Sequence, residues 1–73
     1  MEKNIKNLMV GDIVEKNFKI GFVIKYGKTW IHKHPYVKIE WHHYDVFYDC
    51  FESNIIKYLL YDNLKLKFKV IKN

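Results

Sequence analysis

The sequence predicts a mainly β protein, a small barrel of five short antiparallel strands with one short helix just before the last strand. Its 73 residues, 49% of them hydrophobic, are enough for one small core and for one domain over residues 1–73. Apolar and polar residues alternate along several short segments, as they do in half-buried strands. These segments follow one another without crossover helices, which implies antiparallel pairing, and closure into a barrel would remove exposed edges.

The first two strands are predicted from a turn signal and from an alternation. Residues 1–9 are expected to form a lead-in turn. A Gly-Asp turn signal then directly precedes a β-branched pair and predicts a strand over residues 12–16. Gly21, inside the second predicted strand, indicates a bulge or a close backbone approach. The alternation that begins at Lys19 predicts four residues on the core face: Ile20, Phe22, Ile24 and Tyr26.

The middle of the chain predicts a loop and two further strands. Residues 27–35 form the loop, which ends at a His-Pro pair. Residues 46–51 are mostly apolar and β-prone, and predict a fourth strand. The alternation over residues 36–42 predicts the third strand, with three residues facing the core: Val37, Ile39 and Trp41.

The apolar spacing then becomes helical before it returns to alternation. Ser53 is a good N-cap for a helix over residues 54–61. Its apolar residues recur at helical spacing: Ile55, Ile56, Leu59 and Leu60. Residues 64–71 alternate apolar residues with lysines and predict the last strand. The residues expected on its inner face are Leu64, Leu66, Phe68 and Val70.

Three short motifs precede a closing strand over residues 64–71. The motifs are Val10-Gly11-Asp12-Ile13-Val14, Gly21-Phe22-Val23-Ile24 and Val37-Lys38-Ile39-Glu40-Trp41. Together they resemble the SH3-like small barrels, including the KOW type, over about residues 8–71. They are also similar to short, lysine-rich chains encoded by tailed bacteriophages. The resemblance implies a binding or structural role rather than chemistry.

The charge of the chain favours polyanionic partners without identifying one. Thirteen basic residues, all lysines, and eight acidic ones give a formal net charge of +5. The absence of arginine argues against sequence-specific DNA reading, but a diffuse, salt-sensitive attraction remains possible. The lysines that alternate along the last predicted strand have two interpretations. They could contact phosphate or an acidic protein, or they could form a solvated strand face that protects an edge. The candidate nucleic-acid residues are Lys65, Lys67, Lys69 and Lys57.

Aromatic residues make up 18% of the chain, which is more than a small core comfortably holds. Phe22, Trp41 and Phe68 are expected in the core. For the following six we leave open a protein interface, partial core burial or base stacking: Trp30, Tyr36, Tyr44, Tyr48, Tyr58 and Tyr61. The predicted partner-binding residues are Trp30, Tyr36 and Tyr44, with His32 and His34 of the long loop.

No constellation in the sequence predicts a metal site, a cofactor or catalysis. His32 and His34 could share one face, but the other candidate ligands match no zinc spacing; they are His42, His43, Asp45 and Cys50. A nucleophile would have to be Cys50, assisted by a histidine and by Asp45 or Asp49, and no catalytic motif surrounds it. Cys50 is the only cysteine, so no internal disulfide is expected, and we predict that it is a small core residue.

The function predicted from these observations is a non-enzymatic module that docks on a larger assembly. The resemblance makes capsid or tail proteins the expected partners, with a homo-oligomer also possible. The runner-up is a nucleic-acid-associated barrel that binds phosphate through lysines. The chain has neither a signal-peptide pattern nor an apolar run of membrane-spanning length, so the expected location is the host cytoplasm or a virion.

Overall fold

Six antiparallel strands form one sheet in the computed structural model, which describes residues 1–72. In chain order the elements are β1 (Glu2–Asn4), a 3-10 turn (Ile5–Asn7), β2 (Ile13–Lys16), β3 (Lys19–Lys28), β4 (Pro35–Asp45), β5 (Cys50–Leu59), a second 3-10 turn (Leu60–Asp62) and β6 (Lys67–Lys72). The strands lie side by side in the order β1-β6-β2-β3-β4-β5. The predicted mainly β class is confirmed.

The details of the predicted barrel differ from the structure. The sheet is not closed: β1 and β5 are its two edges. Residues 1–9 are more than a lead-in turn, because β1 pairs with β6 through Glu2↔Lys69 and Asn4↔Lys67. The predicted fourth strand, residues 46–51, is mostly the turn between β4 and β5. The last strand begins at Lys67, later than expected.

The predicted helix over residues 54–61 is wrong, because most of that segment belongs to β5. All ten residues of β5 pair with β4 without interruption, from Tyr36↔Leu59 to Asp45↔Cys50. Two adjacent β-branched isoleucines suit a strand, and pairing with the long β4 outweighs the helical spacing. Only the short 3-10 turn at Leu60–Asp62 remains helical.

A bulge in β3 changes which of its residues face the core. The β3–β4 register shifts between Val23 and Lys25, so Ile24 has no partner in β4. Before the bulge Gly21 and Val23 are buried, and after it Tyr26 points inwards beside Val37. Phe22 is therefore exposed, and the predicted core face of β3 is wrong for Ile20, Phe22 and Ile24.

The core lies on the concave face of the sheet and contains the predicted Val37, Ile39, Trp41 and Phe68. Gly21 faces Trp41 across the β3–β4 pair, and a Cβ on Gly21 would lie 2.7 Å from the indole ring. The prediction at this glycine is a bulge or a close backbone approach; the observed close approach is by the side chains of Trp41 and Ile39. The other buried hydrophobic residues of the core cluster are Ile5, Leu8, Val14, Val23 and Val70.

A buried carboxylate holds the N-terminal segment against this core. Asp12 accepts a hydrogen bond of 3.0 Å from the backbone N–H of Met9, and the ammonium group of Lys3 lies 3.3 Å from the same oxygen. The hydroxyl of Tyr26 donates to the carbonyl of Ile5 at 3.0 Å. These bonds satisfy the polar groups that the 3-10 turn brings into the core. Within residues 1–72 no helix has the length and apolar character needed to cross a membrane.

Candidate functional site

The convex side of β3–β5, here called the outer face, carries an open aromatic groove. The groove has a volume of about 590 Å³. Its lining residues come from the β2–β3 turn and from β3, β4 and β5: Phe18, Ile20, Phe22, His42, His43, Tyr44 and Phe51. Tyr44 and Phe51 are opposite each other in the β4–β5 register, with their rings 5.1 Å apart and edge to face. Tyr44, a predicted partner-binding residue, is thus part of this groove.

Phe18 is the most unusual residue of the groove. It forms the two-residue β2–β3 turn with Asn17, and both have positive φ, 51° for Asn17 and 64° for Phe18. A type I′ turn requires such angles and favours Asn-Gly, whereas a bulky side chain with positive φ is strained. The side chain of Phe18 is 100% exposed, so it gains nothing from the core in return. No packing within residues 1–72 therefore compensates the strain at this position.

A projecting hairpin, residues 43–52, extends the groove beyond β3. The β3–β4 pairing ends at His42, so the residues beyond it are paired only within the β4–β5 hairpin. At the tip the carboxylate of Asp45 accepts hydrogen bonds from the backbone N–H groups of Phe47 and Tyr48, at 2.9 and 3.3 Å. Phe47 is 90% exposed, and Val46 and Tyr48 are also exposed. The tip is therefore a fixed apolar projection with a capped backbone.

A row of three lysines, here called the lysine row, crosses the outer face at the end away from the tip. Lys25 is opposite Lys38, and Lys38 is opposite Lys57, on three adjacent strands. Like charges directly opposite one another destabilise a sheet, and none of the three takes part in an ion pair among residues 1–72. The ammonium groups of Lys38 and Lys57 lie 5.9 and 5.0 Å from the centre of the Tyr36 ring.

Tyr36 supports the lysine row and is not an exposed anchor. Its side chain is only 8% exposed. A Cβ on Gly27, its partner in β3, would lie 2.5 Å from the tyrosine hydroxyl, so the glycine makes room for the ring. Of the three possibilities open for Tyr36, burial is the one observed.

The predicted contact loop is short and ordered by hydrogen bonds. Strand β3 continues to Lys28, so the loop comprises residues 29–34. The backbone N–H of His34 donates to the hydroxyl of Thr29 at 3.0 Å. The imidazole of His34 lies 5.5 Å from that of His32 and 4.7 Å from the ring of Tyr61. Trp30 is 88% exposed, so this loop presents a second apolar projection.

The four predicted nucleic-acid lysines come from two parts of the chain. Lys65, Lys67 and Lys69 are exposed at or near β6, whereas Lys57 belongs to the lysine row on β5. Lys69 is opposite Glu2 in β1 and opposite Glu15 in β2. Two carboxylates beside one ammonium group leave little excess positive charge at that position.

Cys50, the candidate nucleophile, is opposite Asp45 in the β4–β5 register. Cys50 is exposed at the start of β5, so its predicted core position is wrong. His42 lies 2.7 Å from Glu40, and His43 lies 3.3 Å from Glu52, as two separate pairs. Among residues 1–72 no three histidine, cysteine, aspartate or glutamate side chains lie close enough together to hold a metal ion.

A second, smaller cleft of about 190 Å³ opens on the concave side. The adjoining ends of β2 and β3 contribute Lys16 and Lys19, and Trp41 and Tyr58 form the opposite wall. The indole N–H of Trp41 donates to the hydroxyl of Tyr58 at 2.9 Å, which satisfies both polar groups at this wall. Burial raises the pKa of Tyr58, outweighing the lowering effect of this hydrogen bond.

Comparison of the chain with protein-family models, with curated proteins and with solved structures found no match in any of the three. The resemblance to SH3-like barrels therefore stays a prediction.

Proposed function

We propose that this protein is a non-enzymatic docking module that binds another protein through the outer face of β3–β5. The observation that carries the proposal is Phe18. Its positive φ costs about 1 kcal/mol or more in the free protein, and its fully exposed ring recovers none of that cost. A partner that covers the ring would recover it.

The outer face defines the chemistry of the partner. The aromatic groove at one end suits an apolar or aromatic side chain, and the lysine row at the other end suits carboxylates. Lys38 and Tyr44 are six residues apart in β4, which corresponds to about 20 Å along the strand. The matching ligand is an extended or helical protein segment with an apolar anchor and acidic residues about 20 Å away.

The resemblance to small phage-encoded barrels supports a particular kind of assembly for this partner. Capsid or tail proteins are the first candidates, and the virion or the host cytoplasm is the corresponding location. The exposed Trp30 loop and the apolar hairpin tip give the module two further projections for contacts in a large assembly.

The test compares the proteins that co-purify with five tagged forms of the chain from its native source, the wild type and four variants. Phe18→Gly relieves the positive φ and removes the ring, while Lys38→Glu reverses the centre of the lysine row. Lys67→Glu, at an exposed position of β6, is the matched charge control, and Phe47→Ser tests the hairpin tip separately. Thermal melting of each form comes first, and Phe18→Gly is expected to be at least as stable as the wild type.

We expect the wild type and Lys67→Glu to recover the same protein assembly, and Phe18→Gly and Lys38→Glu to lose most of it. Purified assembly proteins that bind the wild type directly and Phe18→Gly at least tenfold more weakly would establish the interface. Equal recovery by Phe18→Gly and the wild type would contradict it. Release of the bound material by nuclease would contradict it too, in favour of the nucleic-acid alternative.

That alternative has one structural feature in its favour. The lysine row and the exposed Phe22, Tyr44 and Phe51 lie on the same face, and single-stranded nucleic acids bind to such combinations of charge and stacking surface. Anisotropy titrations of labelled single-stranded DNA and RNA over a salt series test it directly. It requires affinity that falls steeply with salt and that Lys38→Glu reduces.

A further inference from the structure

Strand β5 is a long edge strand whose protection is limited to two charged residues, Glu52 and Lys57. Its ten residues pair with β4 on one side, and no strand within residues 1–72 lies on its other side. Natural edge strands are commonly short, bulged or interrupted by proline. The opposite edge, β1, follows that rule with three residues, but β5 has neither proline nor glycine and its register with β4 is unbroken. Apart from the carbonyl of Leu59, which accepts a hydrogen bond of 2.8 Å from the side chain of Asn63, a row of backbone N–H and C=O groups is thus available for pairing.

We propose that a second copy of this chain occupies this edge, with β5 antiparallel to β5 about a two-fold axis through Ile55. Two-fold symmetry makes each residue of one copy face the residue equally far from Ile55 in the other copy. Residues 51–59 of both copies are then paired. The two sheets join into one continuous sheet, and their outer faces lie on the same side. This association is independent of the docking function proposed above.

The side chains of β5 favour a two-fold axis at Ile55 over an axis at either adjacent residue. Ile55 faces Ile55, Phe51 faces Leu59, and Glu52 faces Tyr58, so no like charges meet. An axis at Asn54 would place Phe51 against Lys57, and an axis at Ile56 would place Ile55 against Lys57. Axes at Glu52 or Lys57 would put two like charges directly opposite each other.

The charges along β5 also suit an antiparallel pair. Glu52 lies near one end of the strand, close to the acidic hairpin tip with Asp45 and Asp49, and Lys57 lies near the other end. The two-fold arrangement brings the acidic end of each copy towards the lysine end of the other. This offsets part of the repulsion between two chains that each carry a formal charge of +5.

The only cysteine gives a direct measurement of the register. Cys50 is exposed at the start of β5, so a nitroxide label can be attached to the otherwise unmodified chain. In the Ile55-centred pair the two labelled positions are ten residues apart along the joined strands, or about 33 Å. We expect sedimentation equilibrium to give the mass of two chains, and pulsed dipolar spectroscopy to give a distance near that value.

Two charge variants at the axis residue distinguish a weakened dimer from a misfolded chain. Ile55→Lys and Ile55→Glu each place like charges opposite each other, and each is expected to weaken the dimer about tenfold or more. Mixing the two variants restores association, because the axis position then pairs a lysine with a glutamate. Ile71→Lys, at an exposed position of β6, is the control and leaves the dimer intact.

Three results would overturn the proposal. The first is a single-chain mass across the whole concentration series, which leaves the edge for another partner. The second is a dimer with a short Cys50–Cys50 distance, which indicates association through the hairpin tips. The third is a dimer that Ile55→Lys and Ile55→Glu leave unchanged.

Discussion

The ring of Tyr58 in β5 lies 5.8 Å from the ring of Phe68 in β6, although β2, β3 and β4 separate these two strands in the sheet. Four strand spacings in a flat sheet would place them about 19 Å apart. The sheet must therefore curl until residues near its two sides meet. Trp41 lies in the same cluster, with its ring 5.8 Å from that of Phe68 and its N–H bonded to Tyr58. Aromatic packing, without backbone pairing, brings the two sides of the open sheet together at this end.

Tyr58→Phe tests the contribution of the Trp41–Tyr58 hydrogen bond to stability at neutral pH. The variant keeps the ring contact with Phe68 but leaves the indole N–H of Trp41 without its acceptor. We expect the free energy of unfolding to fall by about 1–2 kcal/mol in urea denaturation. Tyr48→Phe, at the exposed hairpin tip, is the matched control and should change stability little. A loss as small in Tyr58→Phe as in the control would show that the hydrogen bond contributes nothing.

The stability of the protein should decrease at alkaline pH. Burial raises the pKa of both Tyr26 and Tyr58 above the ordinary value of 10.0, and the negative charge of Asp12 adds to the effect at Tyr26. Below pH 10 these tyrosines are protonated in both the folded and the unfolded chain. Above it the unfolded chain loses the protons first, so the free energy of unfolding decreases as the pH rises through the raised pKa values.

The measurement is urea denaturation at a series of pH values above neutrality. The stability of Tyr58→Phe should decline less steeply between pH 9 and 11 than that of the wild type, because one of the two tyrosines no longer titrates. Tyr48→Phe should decline in parallel with the wild type. Parallel curves for all three proteins would contradict the raised pKa of Tyr58.

Gly21→Ala should destabilise the protein through overpacking. The new methyl group would lie 2.7 Å from the indole of Trp41 and 2.8 Å from the side chain of Ile39, both buried in the core. We expect a loss of about 1–3 kcal/mol in the free energy of unfolding. Ser53→Ala, on the exposed part of β5, controls for a small change in strand composition. A Gly21→Ala variant of wild-type stability would mean that Trp41 has space to move.

The two tryptophans should differ strongly in fluorescence. Trp30 is 88% exposed, whereas Trp41 is 5% exposed and bonded to Tyr58. Trp30→Phe should leave a blue-shifted emission that acrylamide quenches weakly, and Trp41→Phe a red-shifted emission that it quenches efficiently. Equal quenching of the two variants would contradict the burial of Trp41 in the core.

The sequence predicts the strands best where a strand is buried on one face and regular. Residues 36–42 meet both conditions, and the predicted core positions in β4 are buried. In β3 the same alternation fails, because Ile24 is an unpaired bulge residue and the facing direction changes there. A bulge leaves no mark on local apolar spacing. Likewise, the helical spacing of residues 54–61 gives no information about β4, the strand with which most of this segment pairs.

The candidate site was only partly accessible to sequence reasoning. Trp30 and Tyr44 are exposed as predicted, but Tyr36 is not, because Gly27 lies opposite it and lets its ring pack down. The lysine row joins three strands and depends on register, which composition does not contain. The unusual position of Phe18 could have been predicted from the sequence. Two residues between two predicted strands imply a tight turn with positive φ, where phenylalanine is out of place.

Strand β6 is the last element in the chain, yet it lies between β1 and β2 in the sheet. Glu2 and Asn4 can pair only after Lys67 and Lys69 have been synthesised. Until then Val14 and Trp41 lack the neighbours Val70 and Phe68 that cover them. A nascent chain on the ribosome therefore cannot cover these apolar residues before β6 has been synthesised. Such long-range pairing also slows folding, so assistance from a chaperone would be most valuable during translation.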